Sequence, residues 1–277
     1  MRLILCVLAI TALAASCSHG HNYPARNFTW TGDIAPGASV KVRNIDGAIA
    51  ILASASDKLT VDAVIVNAAP NAVEVKQAMS GKDVLVCTLI GSQTSGTCGE
   101  GKHGHSVTVS PMSFFNRHHP ITVRYTVHVP SGVTVDVETV NGRIAAQNID
   151  GNVKATTVNG DVVVSTTNGT VNAETVNGSI IASMAQLPDS GDVHLETVNG
   201  SITSLMPEGI GGSISLESSN GSLTANYPHS LTDSTDKHHM NFKLDDGARR
   251  VHLETVNGSV SLTKFVKAAV VSLRNRD

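Results

Sequence analysis

The chain has 277 residues, enough for one large or two small domains, and its 41% hydrophobic content supports a folded core. Aromatic residues make up only 3%, which argues against a core of large rings or a stacking platform for sugars or bases. With 20 basic and 23 acidic residues the formal charge is −3, leaving no basic excess for nucleic acid.

Met1 to Cys17 reads MRLILCVLAITALAASC. Arg2 is a minimal positive start, Leu3 to Leu13 an apolar stretch, and small residues follow. This is the plan of a secretory signal over residues 1–17, too short for a spanning helix. Ala14-Ala15-Ser16-Cys17 resembles a bacterial lipobox, although Leu13 stands one place earlier than the usual leucine. On that resemblance Cys17 is the lipidated N-terminus and the membrane anchor, and Ser18 after it implies outer-membrane sorting. Ordinary cleavage near Ser16, giving a periplasmic protein, is the alternative. Residues 18–37 are polar, with Pro24 and Pro36, and read as a tether with an entry strand around Phe28 to Thr31. Trp30, the only tryptophan, is expected to plug an open end of the core.

Residues 38–134 begin with a repeat-like coil, VKVRNIDGAI at Val40, and then lose the pattern. Leu59 to Val66, Val73 to Lys76, Val84 to Ile90, Ser106 to Ser110 and Ile121 to Val129 all read as strands of varying length. They suggest a β-sandwich-like subregion covering one end of a regular stack, where an open sheet edge would invite aggregation. Cys87 and Cys98 flank a Gly/Ser loop and suit a disulfide in an oxidising compartment, worth about 3 kcal/mol, with a reactive thiol pair as the alternative. His103, His105, His118 and His119 bracket a strand and could converge near Phe114 on a divalent metal, since imidazole suits zinc, nickel or copper; solvated loop histidines are the alternative. No other cofactor is suggested. Val129-Pro130-Ser131-Gly132 is the hinge into the regular part.

Residues 135–277 repeat one phrase. It reads VDVETVNGRI at Val135, VKATTVNGDV at Val153 and VNAETVNGSI at Val171. It returns as VHLETVNGSI at Val193, ISLESSNGSL at Ile214 and VHLETVNGSV at Val251. Alternating small or apolar and polar residues mark strands with one buried face. Asn-Gly is expected to take positive φ and make a tight turn. A second turn signal lies halfway, at Asp150-Gly151, Asn168-Gly169, Ser190-Gly191 and Gly211-Gly212. Two strands and two corners per unit of about twenty residues describe one coil of a solenoid. The fold expected is therefore all-β: a parallel β-helix of stacked two-strand coils with the irregular subregion at its N-terminal side. An antiparallel meander, with Thr157 opposite Val162, satisfies the same alternation. Stacked in chain order, Val135, Val153, Val171, Val193, Ile214 and Val251 form one inward column, and Ala155, Ala173, Leu195 and Leu216 continue another. Residues 227–250, with His229, His238, His239, Asp233, Asp236, Asp245 and Asp246, interrupt the spacing as a surface flap. The tail KFVKAAVVSLRNRD is expected to add a last strand.

Parallel stacking aligns outward residues too. Glu138, Glu174, Glu196, Glu217 and Glu254 share one position, interrupted by Thr156, at spacings of about 4.8 Å. Such a row could bind divalent cations or meet a basic partner, against the plainer reading of screened, splayed side chains. His194 and His252 share the adjoining position, with Ser215 expected between them. Asn141, Asn159, Asn177, Asn199, Asn220 and Asn257 can form an amide ladder along the turns. Several match glycosylation sequons, but glycans on every rung would collide. No nucleophile elbow, phosphate loop or paired-acid cleft stands out. Asp161, Asp192 or Glu196 could be cast as acids of a polysaccharide-cleaving solenoid, without a groove or a base to join them.

The run HVPSGVTVDVETVNGRI and the TVNG phrases after it resemble the bacterial putative-adhesin family, a β-strand-repeat domain of unknown function, over about Val40 to Thr263. That resemblance implies an exported, all-β, parallel β-helical envelope protein and brings no catalytic residues. The expectation is a non-enzymatic protein of the cell envelope, adhesin-like or scaffolding, that binds an envelope or surface protein or a glycan along its length. A polysaccharide-acting solenoid enzyme and a periplasmic metal-binding or envelope-stress protein are the alternatives.

Overall fold

The computed structural model describes residues 23–91, 98, 121–189, 191–227, 236–245 and 247–265. The signal with Cys17, the strand expected at 106–110, the four loop histidines with Phe114, and the tail beyond 265 lie outside them. So do His229, Asp233 and Asp246.

Every regular element described is a strand. The repeat contributes coils β8 (Thr134–Glu138) with β9 (Ile144–Asp150), β10 (Val153–Thr156) with β11 (Val162–Asn168), and β12 (Val171–Asn177) with β13 (Ile180–Met184). Three more are β14 (Val193–Asn199) with β15 (Ile202–Met206), β16 (Gly212–Asn220) with β17 (Leu223–Asn226), and β19 (Arg249–Asn257) with β20 (Val260–Lys264). The first strand of each coil enters one sheet, here the phrase sheet, and the second enters the facing return sheet. Successive coils pair in parallel, with Val153 opposite both Val135 and Val171, so the antiparallel meander is excluded. The fold is a parallel β-solenoid.

The inward columns are dry. Val135, Val171, Leu195 and Leu253 are fully buried, and Ile144, Val162, Ile180, Ile202 and Val260 line them from the return sheet. Each such side chain contributes roughly 1.5–3 kcal/mol by leaving water.

The stacking order differs from the chain order. In the phrase sheet β14 pairs with β19 and β19 with β16, so the sixth copy lies between the fourth and the fifth. The return sheet repeats this as β15, β20, β17. The chain leaves the stack after β17, forms β18 (His239–Leu244) antiparallel to β16, and re-enters inside the fifth coil. What reads as a flap is thus partly a strand that caps the phrase sheet.

The N-terminal end is built alike. There, β2 (Ser39–Arg43) and β3 (Ile49–Ala53) continue the coils beside β8 and β9. Next come β6 (Asp83–Ile90) and β7 (Thr122–Val129), still parallel. The outermost strands are antiparallel: β5 (Val73–Ser80) on β6, β4 (Lys58–Val66) on β7, and β1 (Arg26–Asp33) on β4. They form the sandwich-like irregular part, and Phe28 and Trp30 of β1 pack against the core there. On the outer face, Leu85, Leu89 and Ala78 pack around the bonded pair Cys87–Cys98.

The corner between the two strands of a coil explains the phrase. In the six Asn-Gly corners neither residue takes positive φ, contrary to the turn expected from Asn-Gly; Gly47 of the earlier Asp-Gly corner does. Glycine is required by proximity: a Cβ on Gly178 would stand 2.1 Å from the Gly160 carbonyl oxygen. The Thr hydroxyls, buried in the corner, reach across to those same carbonyls, as Thr175 Oγ1 does to Gly160 at 2.9 Å and Thr197 Oγ1 to Gly178 at 2.8 Å. In the first coil Asn44 stands in for Thr and donates to Gly47 and Val123 carbonyls. The Asn side chains form one directed ladder: Asn220 donates to Asn257, then Asn199, Asn177, Asn159 and Asn141 in turn, and Asn141 donates to the carboxylate of Asp46 at 2.7 Å.

Gly178→Ala should therefore destabilise far more than Asn177→Ala, which removes two exposed amide bonds. We expect at least about 3 kcal/mol for the first and about 1–2 kcal/mol for the second, read from urea unfolding midpoints. Equal shifts would show that corner proximity is not the constraint.

Candidate functional site

Between the buried columns the phrase sheet turns every second residue outward, and the register places these side chains in three rows across the parallel strands β12, β14, β19 and β16 and the antiparallel β18. Rows lie two residues, or about 6.6 Å, apart along the strands.

The carboxylate row runs Glu174, Glu196, Glu254, Glu217 in register and ends on His239. Glu138 stands apart from it. Beyond Thr156, it is held by Arg43 at 3.2 Å, and Arg43 also binds Asp136 at 2.8 Å. The acids are therefore one run of four plus one member that shares Arg43 with Asp136.

The middle row is Asn172, His194, His252, Ser215 and Asn241. His194 and His252 are not separated by Ser215, as chain order implies. They are direct neighbours whose rings stack with centroids 5.3 Å apart and planes 12° from parallel. The re-entry of β19 causes this. Each ring reaches its own coil's acid, His194 Nε2 to Glu196 at 3.3 Å and His252 Nε2 to Glu254 at 3.1 Å. Glu217 faces His239 at 3.5 Å and accepts a hydrogen bond from Ser215 at 2.9 Å. One imidazole thus stands beside each of Glu196, Glu254 and Glu217.

The third row is Asp192, Arg250, Ser213 and Lys243. Arg250 donates to Asp192 through Nε at 3.0 Å and Nη2 at 2.6 Å, and its backbone N–H adds a bond at 3.1 Å. The guanidinium holds the Asp192 carboxyl below the usual carboxylate range. Asp236, before β18, is lowered likewise by the backbone N–H groups of His238 and His239.

Two depressions open on this face. One, of about 530 Å³, lies over Ser213 and Ser215, walled by Arg250 and His252 on one side and Asn241 and Lys243 on the other. A smaller one, of about 300 Å³, lies between Glu217, Glu254, His238 and His239. Beside the rows the valine just before the corner Asn, at Val140, Val158, Val176 and Val256, forms a ridge 37–39% exposed.

The acids considered for a cleaving enzyme are engaged separately. Asp161 accepts the Ser179 backbone N–H at a corner, Asp192 binds Arg250, and Glu196 meets His194. Among the described residues no group of three or more His, Cys, Asp or Glu is arranged to hold a metal ion. Arg43, Arg250, Lys243, Ser213 and Asn241 are additions that sequence reasoning missed. The available signal was the phrase VHLETVNGS, shared only by the copies at 193 and 251, with Asp192 and Arg250 at equivalent places before it.

The family Toastrack DUF4097 matches residues 37–263. No curated protein matches the chain. The crystal structure of a putative cell adhesion protein from Clostridium sporogenes ATCC 15579 superposes with a TM-score of 0.51 at 12% identity, covering 87% of this chain and 100% of that one. At that identity the likeness concerns the fold. A putative adhesin from Bacteroides fragilis NCTC 9343 aligns over 86% of this chain and 97% of its own, at 10% identity and a TM-score of 0.33.

The re-entrant order is testable by crosslinking. Parallel neighbours on adjacent strands lie within disulfide range. Under oxidation His194→Cys with His252→Cys should crosslink, whereas His194→Cys with Ser215→Cys should not. Peptide mass mapping under non-reducing conditions reads the result, and the reverse pattern would restore chain-order stacking.

Proposed function

The chain belongs to the Toastrack DUF4097 family, and from that membership we propose that it is a non-enzymatic cell-envelope protein whose phrase-sheet face binds an envelope or surface protein or a glycan. The observation that carries this reading is the in-register carboxylate and imidazole rows over β12, β14, β19 and β16, exposed on a rigid, doubly hydrogen-bonded sheet. A surface of repeated groups at a fixed spacing suits an extended partner rather than turnover at one centre. The relative of similar fold is described as a putative cell adhesion protein, which agrees with an adhesive or scaffolding role.

The location proposed is outside the cytoplasm. The Cys87–Cys98 disulfide fits an oxidising compartment. The signal-like start and Cys17 fit an outer-membrane lipoprotein.

Purified mature chain should be retained by isolated bacterial envelopes, and Glu196→Lys with Glu254→Lys should cut retention about tenfold or more by reversing the row's charge. Absence of retention by the unaltered chain would sink the reading. In cells, Cys17→Ser should move the protein from the membrane pellet to the soluble fraction. Unchanged pelleting would remove the lipid anchor.

A further inference from the structure

We propose that the depression over Ser213 and Ser215 binds an anionic sugar unit, one bearing a carboxylate or a phosphate group. This rests on the binding-surface reading above and gives a ligand class to the row of Arg250, Ser213 and Lys243, apart from the carboxylate row that the charge reversal addresses.

The depression exists because β16 presents two small hydroxyl side chains between longer ones on β19 and β18. Its volume, about 530 Å³, is within the span of small-molecule sites. Arg250 stands on one wall, oriented by Asp192 through Nε and Nη2. Its Nη1 has no protein partner among the described residues. Lys243 stands on the opposite wall, across Ser213, and makes no ion pair among the described residues. Asp245, two positions after it, lies past the strand end.

The Cα atoms of Arg250 and Lys243 are two strand spacings apart, about 10 Å, so both long side chains can converge above Ser213. One of these two charges is offset by Asp192, which leaves a net positive charge at the depression. The Glu196, Glu254 and Glu217 carboxylates lie on the far side of the imidazole row. Ser215 is turned toward Glu217, so Ser213, Arg250 and Lys243 are the groups left to meet an oxyanion by charge-assisted hydrogen bonds.

The rest of the rim favours a hydroxylated ligand. Asn241 and the two imidazoles supply donors and acceptors around the anion position. Within the depression the main chain offers a peptide little, because β19 and β16 are paired on both sides and β18 turns its paired side toward β16.

The test is calorimetric titration of the purified mature chain with glucuronate, glucose 6-phosphate, inorganic phosphate and glucose. The two anionic sugars should bind and glucose should not. Lys243→Gln and Arg250→Gln should each weaken the anionic sugars about tenfold, and Lys243→Arg should restore most of the affinity. Circular dichroism should show the same fold in all three variants. Equal binding of glucose, unchanged affinity in Lys243→Gln, or no binding of either anionic sugar would overturn the assignment. Inorganic phosphate binding as tightly as glucose 6-phosphate would overturn its sugar part. If titration fails while envelope retention persists, only this assignment falls. If retention fails while titration persists, the anion site stands and the envelope reading falls.

Discussion

Everything in this molecule is set by how closely one corner can lie on the next. The glycine of each phrase comes so near the carbonyl of its neighbour that no side chain fits between. That contact holds coils at a single strand spacing, and Thr175, Thr197 and Thr255 satisfy the approached carbonyls from inside the corner. Outside it, the asparagines bond to one another. The phrase therefore repeats because three separate requirements recur in each of its six copies: no Cβ, a buried hydroxyl and an outward amide.

Much of this was legible in the residues. Period-two alternation in VNAETV named the strands and their buried face, and repetition of the whole phrase rather than half of it favoured parallel coils. The asparagine column was visible for the same reason. The cause assigned to the glycine was not, because Asn-Gly is equally the signature of a positive-φ hairpin, and proximity to another coil leaves no mark within one copy. The order of the last coils was hidden too. Residues 227–250 looked like an excursion, and nothing local distinguishes a loop that leaves from one that leaves and returns one place further in. That single ambiguity concealed the candidate site, since His194 meets His252, and Asp192 meets Arg250, only when β19 lies against β14.

The charge pattern on the outer face follows from the same register. A column of like acids is unfavourable by about 1 kcal/mol per neighbouring pair even in water. Here the imidazoles of His194, His252 and His239 and the hydroxyl of Ser215 are set against it. At the other end Arg43 bridges Glu138 and Asp136 and offsets one of their two charges. The polar decoration is thus graded along the solenoid, quenched near β2 and open near β16, although the buried scaffold underneath is nearly uniform.

The position of the final coil also bears on biosynthesis. A chain emerging from the ribosome can lay β8 to β15 down in the order they are made, each rung ready for the next. The fifth coil cannot then settle, because its permanent neighbour on β14 has not yet been translated. It must wait, or rest provisionally against the fourth, until Arg249–Lys264 arrives and takes the place between them. Completion of the stack, and with it the assembly of the outer face from β14 to β18, therefore waits until Arg249–Lys264 has been made, and a chain cut short after Tyr227 would carry most of the scaffold but lack the strands that bring His252, Arg250 and Lys243 to that face.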